Sequence, residues 1–267
     1  DFRKKTQEKE PLDISKKLAL LKMSPRDYQM ECIEKISVNN RGIIRAATGA
    51  GKTLIAALMT AYLNEPTIIY VISLDILKQF HDLFSAIFNE PIGFIGDGVC
   101  DIQRITIATI WSCGSAIKVD KSYLSIEDSR KEKYLETNSA KIIKCLKEAK
   151  VHILDECHIG NFRKVLESYE GYVIGATATP VTTNKLYPLK NLLESIVTPV
   201  SINTLINLGR LSKPKTFARV PKKFNELKKK RGEYSEKTQN DVFNNREVFN
   251  GLLEDYKEKL TDKKGIV

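Results

Sequence analysis

Apolar residues along the chain follow two spacings, one typical of strands and one typical of helices. Short unbroken runs rich in Ile and Val, such as TIIYVI at 67–72, are typical of strands buried on both faces of a parallel sheet. Between these runs, apolar residues recur every three or four positions, which is typical of helices with one buried face. The predicted strands are 42–45, 67–72, 92–95, 105–108, 151–154 and 172–175, with a further short strand near Val197.

Helices are predicted between most of these strands, and the alternation indicates an α/β fold with a doubly wound, mostly parallel sheet. The second helix would have Ser24 as its N-cap and Pro25 as its first residue. In the fourth helix, the aromatic residues at 80, 84 and 88 are expected in the core. The predicted helices are 14–21, 25–38, 54–62, 76–88, 140–149, 185–195 and 242–260.

Changes of composition suggest three parts. Residues 1–23 are an N-terminal segment, residues 24–211 are the α/β domain, and residues 212–267 are a linker with the beginning of a second domain. Within the α/β domain, residues 118–138 are polar and poor in large aliphatic side chains, which indicates a surface insertion, partly helical or mobile.

The last part contains an expected extended linker at 213–223 and a basic loop at 228–231. The basic run is either a solvated face or a site of attraction for phosphates. Residues 263–267 resemble the opening strand of a second domain that the chain cuts off at its start.

Composition narrows the classes of partner and compartment. The 267 residues carry 43 basic and 33 acidic side chains, a formal charge of +10, which suits a polyanionic partner, although a lysine-rich surface also serves solubility alone. The five cysteines lack C-x-x-C spacing, so neither a zinc site nor a disulfide framework is indicated. No apolar run reaches the ~18 residues of a membrane span. We therefore expect no membrane partner and an intracellular location: cytoplasm or nucleoid, or host-cell cytoplasm if the protein is viral.

The segment AATGAGKT at 46–53 joins a predicted strand to a predicted helix through small residues. Backbone N–H groups of such a turn, with the N-terminal end of the helix, can bind a polyphosphate. Lys52 would reach the outer phosphates and the Thr53 hydroxyl would complete a Mg²⁺ shell. The pattern G-x-x-x-x-G-K-[ST] is matched except that Ala46 replaces the first Gly. A chance Gly-rich turn is the alternative. The candidate ATP-binding residues here are Thr48, Gly49, Ala50, Gly51, Lys52 and Thr53.

Two polar residues, Arg26 and Gln29, lie three positions apart at the start of the helix that precedes this strand. A Gln side chain carries a donor and an acceptor on one planar group, which fits the N6 and N7 edge of adenine. An ordinary polar helix start is the alternative, which their place before the phosphate-binding segment disfavours.

Adjacent acids, Asp155 and Glu156, follow the predicted strand 151–154, which we expect beside the strand that leads into the phosphate-binding segment. Asp155 would bind Mg²⁺ through water, and Glu156 would orient and deprotonate the attacking water. The alternative is a pair of exposed acids with no role. His158, two residues on, is either functional or a surface or packing residue.

Small residues with hydroxyls end the next strand, in the segment ATATP at 176–180. They can hydrogen-bond the acidic cluster while leaving room for a nucleotide. Such an arrangement could report hydrolysis to neighbouring elements. In addition, Ser73, Gly96 and Thr109 all fall at strand ends and are candidates for a second ligand surface on the same edge.

In order, the segments PRDYQ, AATGAGKT, ISLDILKQF, IGDG with IATIWS, DECH and GATATP resemble the motifs of the superfamily 2 DEAD/DEAH-like helicases. PRDYQ and SIVTPVSINTLINLGRLSKPK are more similar to the branch of type III restriction, XPB-like and phage UvsW-like helicases than to DEAD-box RNA helicases. At 73–75 the chain has Ser-Leu-Asp where this superfamily commonly has Pro-Thr.

The resemblance implies a RecA-like P-loop NTPase domain and roles for each candidate. Arg26 and Gln29 would contact adenine, residues 49–53 the phosphates, and Thr53 with Asp155 the Mg²⁺. Glu156 would be the base. His158, Thr177 and Thr179 would couple the ATP state to the grip on nucleic acid, and Ser73, Gly96 and Thr109 would touch its backbone.

The function that these motifs imply is an ATP-hydrolysing helicase or translocase, with DNA favoured over RNA. The family supplies arginine fingers from a second RecA-like domain, so we expect this chain alone to bind ATP weakly and to hydrolyse it poorly. The alternatives are a nucleic-acid-binding module switched by ATP and the motor part of a restriction endonuclease. A small-molecule P-loop kinase has no evident use for DECH and TATP together.

Overall fold

The structure, a computed structural model, describes residues 9–123, 137–159, 162–166, 171–181, 188–214, 224–230, 233–243 and 253–258. It divides into two compact units, residues 1–212 and 213–267.

The first unit is built from strands and helices that largely alternate along the chain. Its strands are β1 (Arg41–Arg45), β2 (Thr67–Val71), β3 (Ile92–Gly96), β4 (Val99–Asp101), β5 (Ile105–Thr109), β6 (Val151–Asp155), β7 (Tyr172–Thr177) and β8 (Ser195–Val197). Its helices are α1 (Ser15–Leu20), α2 (Asp27–Ser37), α3 (Lys52–Leu63), α4 (Leu74–Ile87), α5 (Ile110–Tyr123), α6 (Asn138–Glu148), α7 (Arg163–Leu166) and α8 (Ile202–Asn207), and a 3₁₀ turn covers Leu189–Asn191.

These strands form one sheet in the order β4-β3-β5-β2-β6-β7-β1-β8. All neighbouring strands are parallel except β3 and β4, which form an antiparallel hairpin. The expectation that β6 lies beside β1 is wrong, because β7 lies between them and pairs with both. The end of β7 therefore separates the phosphate-binding segment from the acids of β6.

Helices cover both faces of the sheet, as a doubly wound fold requires. Successive strand residues face opposite sides: Ile44 and Ile69 pack in one cluster with α2, α3 and α4, whereas Ile43 and Ile68 pack in another with α5, α6 and α7. Every residue of β2, β5, β6 and β7 is buried, which explains their unbroken apolar runs. The aromatic residues predicted for the core, Phe80, Phe84 and Phe88, are buried.

The N-terminal segment contacts the same core. Ile14 and Leu18 are buried in the cluster that contains α2 and α3. The Leu12 N–H donates to the Ala61 carbonyl of α3 at 2.9 Å.

Two predicted element boundaries are wrong. Helix α2 begins at Asp27 with Arg26 as its N-cap, so Ser24 and Pro25 lie outside it. The cause is the Gln29 side chain, whose Oε1 accepts from the Arg26 N–H at 3.0 Å and caps the helix there. In the described part of the predicted helix 185–195, there is only the 3₁₀ turn, and Ser195 already belongs to β8.

The predicted insertion 118–138 is described only at its two ends. Helix α5 runs into it as far as Tyr123 and α6 begins at Asn138. Residues 124–136 lie outside the described part of the chain.

The second unit contains a 3₁₀ turn (Phe224–Glu226), a two-stranded antiparallel hairpin of β9 (Lys229–Lys230) and β10 (Glu233–Tyr234), and α9 (Glu236–Phe243). Residues 253–258 are also helical. The prediction of a basic loop at 228–231 is wrong at Lys229 and Lys230, because these two residues form β9. Most of the predicted linker and all of 263–267 lie outside the described residues.

Within the described ranges, the structure contains no helix with the length and apolar character that crossing a bilayer requires.

Candidate active site

The segment after β1 forms a tight loop that leads directly into α3. The Ala46 N–H donates to the Thr177 carbonyl at 3.0 Å, and the Ala50 N–H donates to the Ala47 carbonyl at 3.0 Å. Gly49 and Gly51 both have φ of +83°, in the left-handed region that favours glycine. Gly51 is the N-cap of α3, so the first turn of the helix presents unpaired backbone N–H groups next to the loop. This geometry can bind an anion such as a phosphate.

Helix α2 holds this loop from outside through two side chains. The Gln29 Nε2 donates to the Ala50 carbonyl at 3.0 Å, and the Tyr28 hydroxyl donates to the same oxygen at 3.0 Å. Arg26 Nη1 in turn donates to the Tyr28 hydroxyl at 2.5 Å. Gln29 is only 1% exposed. Sequence analysis missed Tyr28, although its place beside Gln29 in PRDYQ was the available signal.

The acids of β6 lie at a sharp turn. Asp155 is the last residue of β6, and Glu156 has φ of +49°, a strained conformation for a residue with a side chain. The Cys157 N–H donates to the Ala176 carbonyl of β7 at 3.2 Å, which fixes the turn to the neighbouring strand. Cys157 approaches β7 so closely that position 175 requires glycine, because a Cβ on Gly175 would lie 2.6 Å from the Cys157 sulfur.

The turn directs Glu156 to the lysine of the phosphate-binding loop. Lys52 Nζ and Glu156 Oε1 form an ion pair whose side chains are 14% and 25% exposed. Thr177 Oγ1, at the end of β7, donates to the other carboxylate oxygen of Glu156 at 3.2 Å. The structure therefore brings Lys52, Glu156 and Thr177 together, although they come from three separate segments.

His158 and Thr179 contact the same hydroxyl. His158 Nδ1 lies 2.8 Å from Thr177 Oγ1, and the Thr179 N–H donates to that oxygen at 3.1 Å. His158 Nδ1 also lies 3.3 Å from Glu156 Oε2, so the imidazole is next to both the hydroxyl and the carboxylate. A chain of hydrogen bonds thus links the acidic turn to the segment that follows β7.

Asp155 is 8% exposed at the end of β6. Its pKa is raised to about 6, first by burial and then by the neighbouring charge of Glu156, while Lys52 partly opposes the shift. Such a carboxylate is stabilised by a cation. Among the described residues, no group of three or more His, Cys, Asp or Glu side chains is arranged to hold a metal alone. Mg²⁺ commonly takes one or two protein oxygens together with substrate phosphates and water, and the Asp155 carboxylate and Thr53 hydroxyl are oxygen donors of that kind.

The three candidates for the second ligand surface lie at the same edge of the sheet, beyond β2, β3 and β5, which are neighbours. Ser73 caps α4 by accepting from the Ile76 N–H at 3.3 Å, and Thr109 Oγ1 lies 2.8 Å from Ser112 Oγ. Gly96 is buried and has little space for a side chain. Next to them, Trp111 is 54% exposed while its Nε1 donates to the Ile72 carbonyl at 3.0 Å. Sequence analysis did not single out Trp111.

A protein-family model described as "Type III restriction enzyme, res subunit" matches residues 22–182, more than half of the chain. The chain belongs to this family. The match contains every segment of the nucleotide site described above. The resemblance to superfamily 2 helicases of the type III restriction and XPB-like branch is therefore confirmed.

Individual proteins are similar to parts of this chain. The "DNA 3'-5' translocase XPB2" of Sulfurisphaera tokodaii is 33% identical over 88 residues, which are 33% of this chain and 20% of that protein. The structure titled "Crystal structure of hypothetical ATP-dependent RNA helicase from Sulfolobus tokodaii" covers 68% of this chain and 56% of that one, with 16% identity and a TM-score of 0.51. The match to the structure of T4 UvsW covers 73% of this chain and 40% of that one, with 18% identity and a TM-score of 0.49.

This chain therefore has the fold of a helicase RecA-like domain. It spans about a fifth of the length of the curated relative.

Proposed function

We propose that this chain binds ATP with Mg²⁺ and hydrolyses it to drive translocation on, or unwinding of, DNA, with RNA as the alternative substrate. The main support is the single cluster in which Lys52 of the phosphate-binding loop, Glu156 of the acidic turn and Thr177 of the TATP segment meet. A loop that binds phosphate next to a carboxylate that can accept a proton from water is the arrangement that ATP hydrolysis requires.

In this proposal the nucleotide is bound by two groups of residues. Arg26 and Gln29 contact the adenine, Gln29 through the second amide proton and second lone pair that remain beside its bonds to the Ala50 carbonyl and the Arg26 N–H. The backbone of the loop and the Lys52 ammonium hold the phosphates, using residues Thr48, Gly49, Ala50, Gly51, Lys52 and Thr53. Lys52 is then released from its ion pair with Glu156, and the freed carboxylate orients and deprotonates the attacking water.

The metal would be held by Thr53 and Asp155. When bound, Mg²⁺ supplies neutralisation of the charge on the phosphate oxygens. Asp155 is buried beside Glu156 and is stabilised by this positive charge. His158, Thr177 and Thr179 form the hydrogen-bonded link through which we propose that the state of the nucleotide affects the grip on nucleic acid.

The nucleic acid would bind along the edge that carries Ser73, Gly96 and Thr109 beyond β2, β3 and β5. The ends of β2, β3 and β5 are neighbours, and they are distinct from the ends of β6, β7 and β1. This arrangement supports two ligand surfaces at one edge of the sheet, one for the nucleic acid and one for the nucleotide. The charge of +10 suits either nucleic acid, and DNA is favoured because a curated relative is named as a DNA translocase.

A second RecA-like domain would act as the partner of this domain in the complete motor and would supply arginine fingers. In phosphoryl-transfer enzymes such a finger is worth ~10³ to 10⁵ in rate. We therefore expect ATP hydrolysis by this domain to be faster in the presence of such a second domain than in its absence.

The test compares ATP hydrolysis with duplex DNA, single-stranded DNA and RNA in parallel, for the protein that carries this domain and for its Lys52→Ala variant. A DNA motor shows turnover that DNA stimulates and that the variant loses. Turnover that persists in the Lys52→Ala variant, or that no nucleic acid stimulates, contradicts the proposal.

Binding at the proposed edge can be followed directly, because Trp111 is the sole tryptophan of this sequence. A single-stranded oligonucleotide bound along Ser73, Gly96 and Thr109 should change the Trp111 fluorescence, and added salt should reverse the change. An oligonucleotide that binds without altering this fluorescence places its site elsewhere.

The family description also favours a second candidate, the motor part of a restriction endonuclease. That function predicts ATP-dependent cleavage of DNA by the complete assembly, whereas a helicase or translocase leaves the strands intact. Agarose electrophoresis of plasmid DNA after incubation with the complete protein and ATP distinguishes the two.

A further inference from the structure

The carbonyl of Ala50, in the middle of the phosphate-binding loop, accepts two hydrogen bonds from one helix. Tyr28 and Gln29, adjacent residues of α2, each donate to it at 3.0 Å. A carbonyl oxygen has two lone pairs, so this acceptor is fully used. Ala50 is completely buried, which makes an unsatisfied carbonyl at this position costly.

The direction of this carbonyl also fixes the direction of the next N–H. The peptide between Ala50 and Gly51 is planar and trans, so its C=O and N–H point in opposite directions. Because the carbonyl points to α2, the Gly51 N–H points away from α2. Gly51 is the N-cap of α3, where an N–H has no partner within the helix.

We propose that Tyr28 is a positioning residue for phosphate binding: its hydroxyl, together with Gln29, holds the Ala50–Gly51 peptide so that the Gly51 N–H faces the phosphates. This inference rests on the proposed ATP site and adds a residue to it. Tyr28 acts through the loop backbone and does not itself touch the nucleotide.

Two neighbours support the assignment. Arg26 Nη1 donates to the Tyr28 oxygen at 2.5 Å, and a charged donor on a hydroxyl strengthens the bond that this hydroxyl donates onward. Gly51 leaves the space that Gln29 occupies, since a Cβ there would lie 2.5 Å from Gln29 Nε2. The loop and the start of α2 are therefore fitted to one another around a single peptide group.

A positioning role for Tyr28 can be distinguished from a role in recognising the base. If Tyr28 orients a phosphate-binding N–H, its loss affects every ligand with a triphosphate by the same factor, whatever base the ligand carries. If Tyr28 acts on the base, directly or through Arg26, its loss affects ATP but not inorganic tripolyphosphate.

The experiment measures dissociation constants of ATP, GTP and inorganic tripolyphosphate by calorimetry, with Mg²⁺, for the parent protein and the Tyr28→Phe variant. We expect the variant to weaken all three by a common factor of about 3 to 10, the equivalent of one hydrogen bond. The ratio of ATP to GTP affinity should stay unchanged.

Tyr172→Phe is the matched control, because Tyr172 is a buried tyrosine at the start of β7, at the opposite edge of the sheet. It should leave all three constants unchanged.

Lys52→Ala tests the phosphate site itself: if that variant binds tripolyphosphate as well as the parent, the proposed ATP site is wrong. If Lys52→Ala loses tripolyphosphate but Tyr28→Phe retains parental affinity for it, the positioning role alone is overturned. A Tyr28→Phe variant with a lower melting temperature and unchanged affinities also overturns it, since Tyr28 would then be only structural.

Discussion

Lys52 and Glu156, 104 residues apart in the chain, form an ion pair that joins the phosphate-binding loop to the acidic turn. Each is needed for a different task in the proposed reaction, the lysine for phosphate and the carboxylate for water. While paired, neither group can perform its task. Nucleotide binding must therefore separate them, and the cost of the separation is subtracted from the affinity for ATP.

Glu156→Gln is expected to abolish turnover while preserving ATP binding. An amide cannot accept the proton of water, so kcat should fall by about 10² to 10⁴. The amide also holds Lys52 less strongly, so the dissociation constant of ATP should be equal or lower. Single-turnover hydrolysis and equilibrium binding measure the two quantities. Glu148→Gln, an exposed acid of α6 paired with Lys144, is the control and should change neither. Normal turnover by the Glu156→Gln protein would show that Glu156 is not the base, whereas biological activity that survives the loss of turnover would indicate a module that uses ATP only as a switch.

Asp155→Asn is expected to stabilise the fold in magnesium-free buffer at pH 7. The pKa of Asp155 is raised to about 6 in the folded protein, so its ionisation opposes folding above that pH. A raised folded pKa gives stability that is present below the unfolded value near 4 and lost as the pH rises to about 6. Removing the charge should therefore add about 1 to 3 kcal/mol at pH 7, and the gain should vanish toward pH 4.

Urea unfolding of the parent and the Asp155→Asn variant between pH 4 and 7 tests this expectation. The same variant should lose the Mg²⁺ dependence of ATP binding if Asp155 is a ligand. A difference in stability that stays constant with pH would show that the carboxyl titrates normally in the folded chain.

Thr177→Ala is expected to impair hydrolysis more than ATP binding. Its hydroxyl donates to Glu156 and accepts from the Thr179 N–H, so its loss leaves the acidic turn and the following segment unconnected. We expect kcat, and its stimulation by nucleic acid, to fall about 10-fold or more while the dissociation constant of ATP changes little. Thr177→Ser keeps the hydroxyl and should restore most of the stimulation. Equal activity of the Ala and Ser variants would show that the hydroxyl has no coupling role.

His152 is expected to make the fold sensitive to acid. It is fully buried in β6, with Nδ1 2.8 Å from the Tyr70 hydroxyl, and burial lowers its pKa to about 4. A lowered folded pKa gives stability that is present above the unfolded value near 6.5 and lost as the pH falls through about 4. The loss should reach up to about 3 kcal/mol.

The measurement is the free energy of unfolding between pH 7 and 4 for the parent and His152→Gln proteins. The variant should be less stable at pH 7, because it disturbs the contact with Tyr70, but its stability should fall less on acidification. Parallel curves for the two proteins would exclude His152 as the source of the acid sensitivity.

The local parts of the site could be predicted from sequence because each depends on neighbouring residues. The glycines and Lys52 predict a phosphate-binding loop by themselves, and Asp155 and Glu156 follow an apolar run that predicts a buried strand. The long apolar runs likewise predicted β2, β5, β6 and β7. The antiparallel strand β4 was missed, because it has only three residues and none is buried.

The order of the strands and the side-chain contacts between distant segments could not be predicted from the sequence. Nothing in the residues of β6 indicates that β7 lies between it and β1, since β6 and β7 are both buried throughout and the middle of β1 is buried as well. The start of α2 was misplaced because Gln29 caps the helix through its side chain, which competes with the cap expected at Ser24. Tyr28 was missed for a related reason: its partner, Ala50, is 22 residues away.

The position of β7 between β1 and β6 also determines how wide the catalytic cleft is. Two steps between neighbouring strands, each about 4.8 Å, separate the phosphate-binding loop from the acids, and the Lys52 and Glu156 side chains together span that width. In the proposed reaction the groups that break the bond are therefore contained in one folding unit. A partner lobe can govern the timing and speed of the chemistry without having to contribute the base.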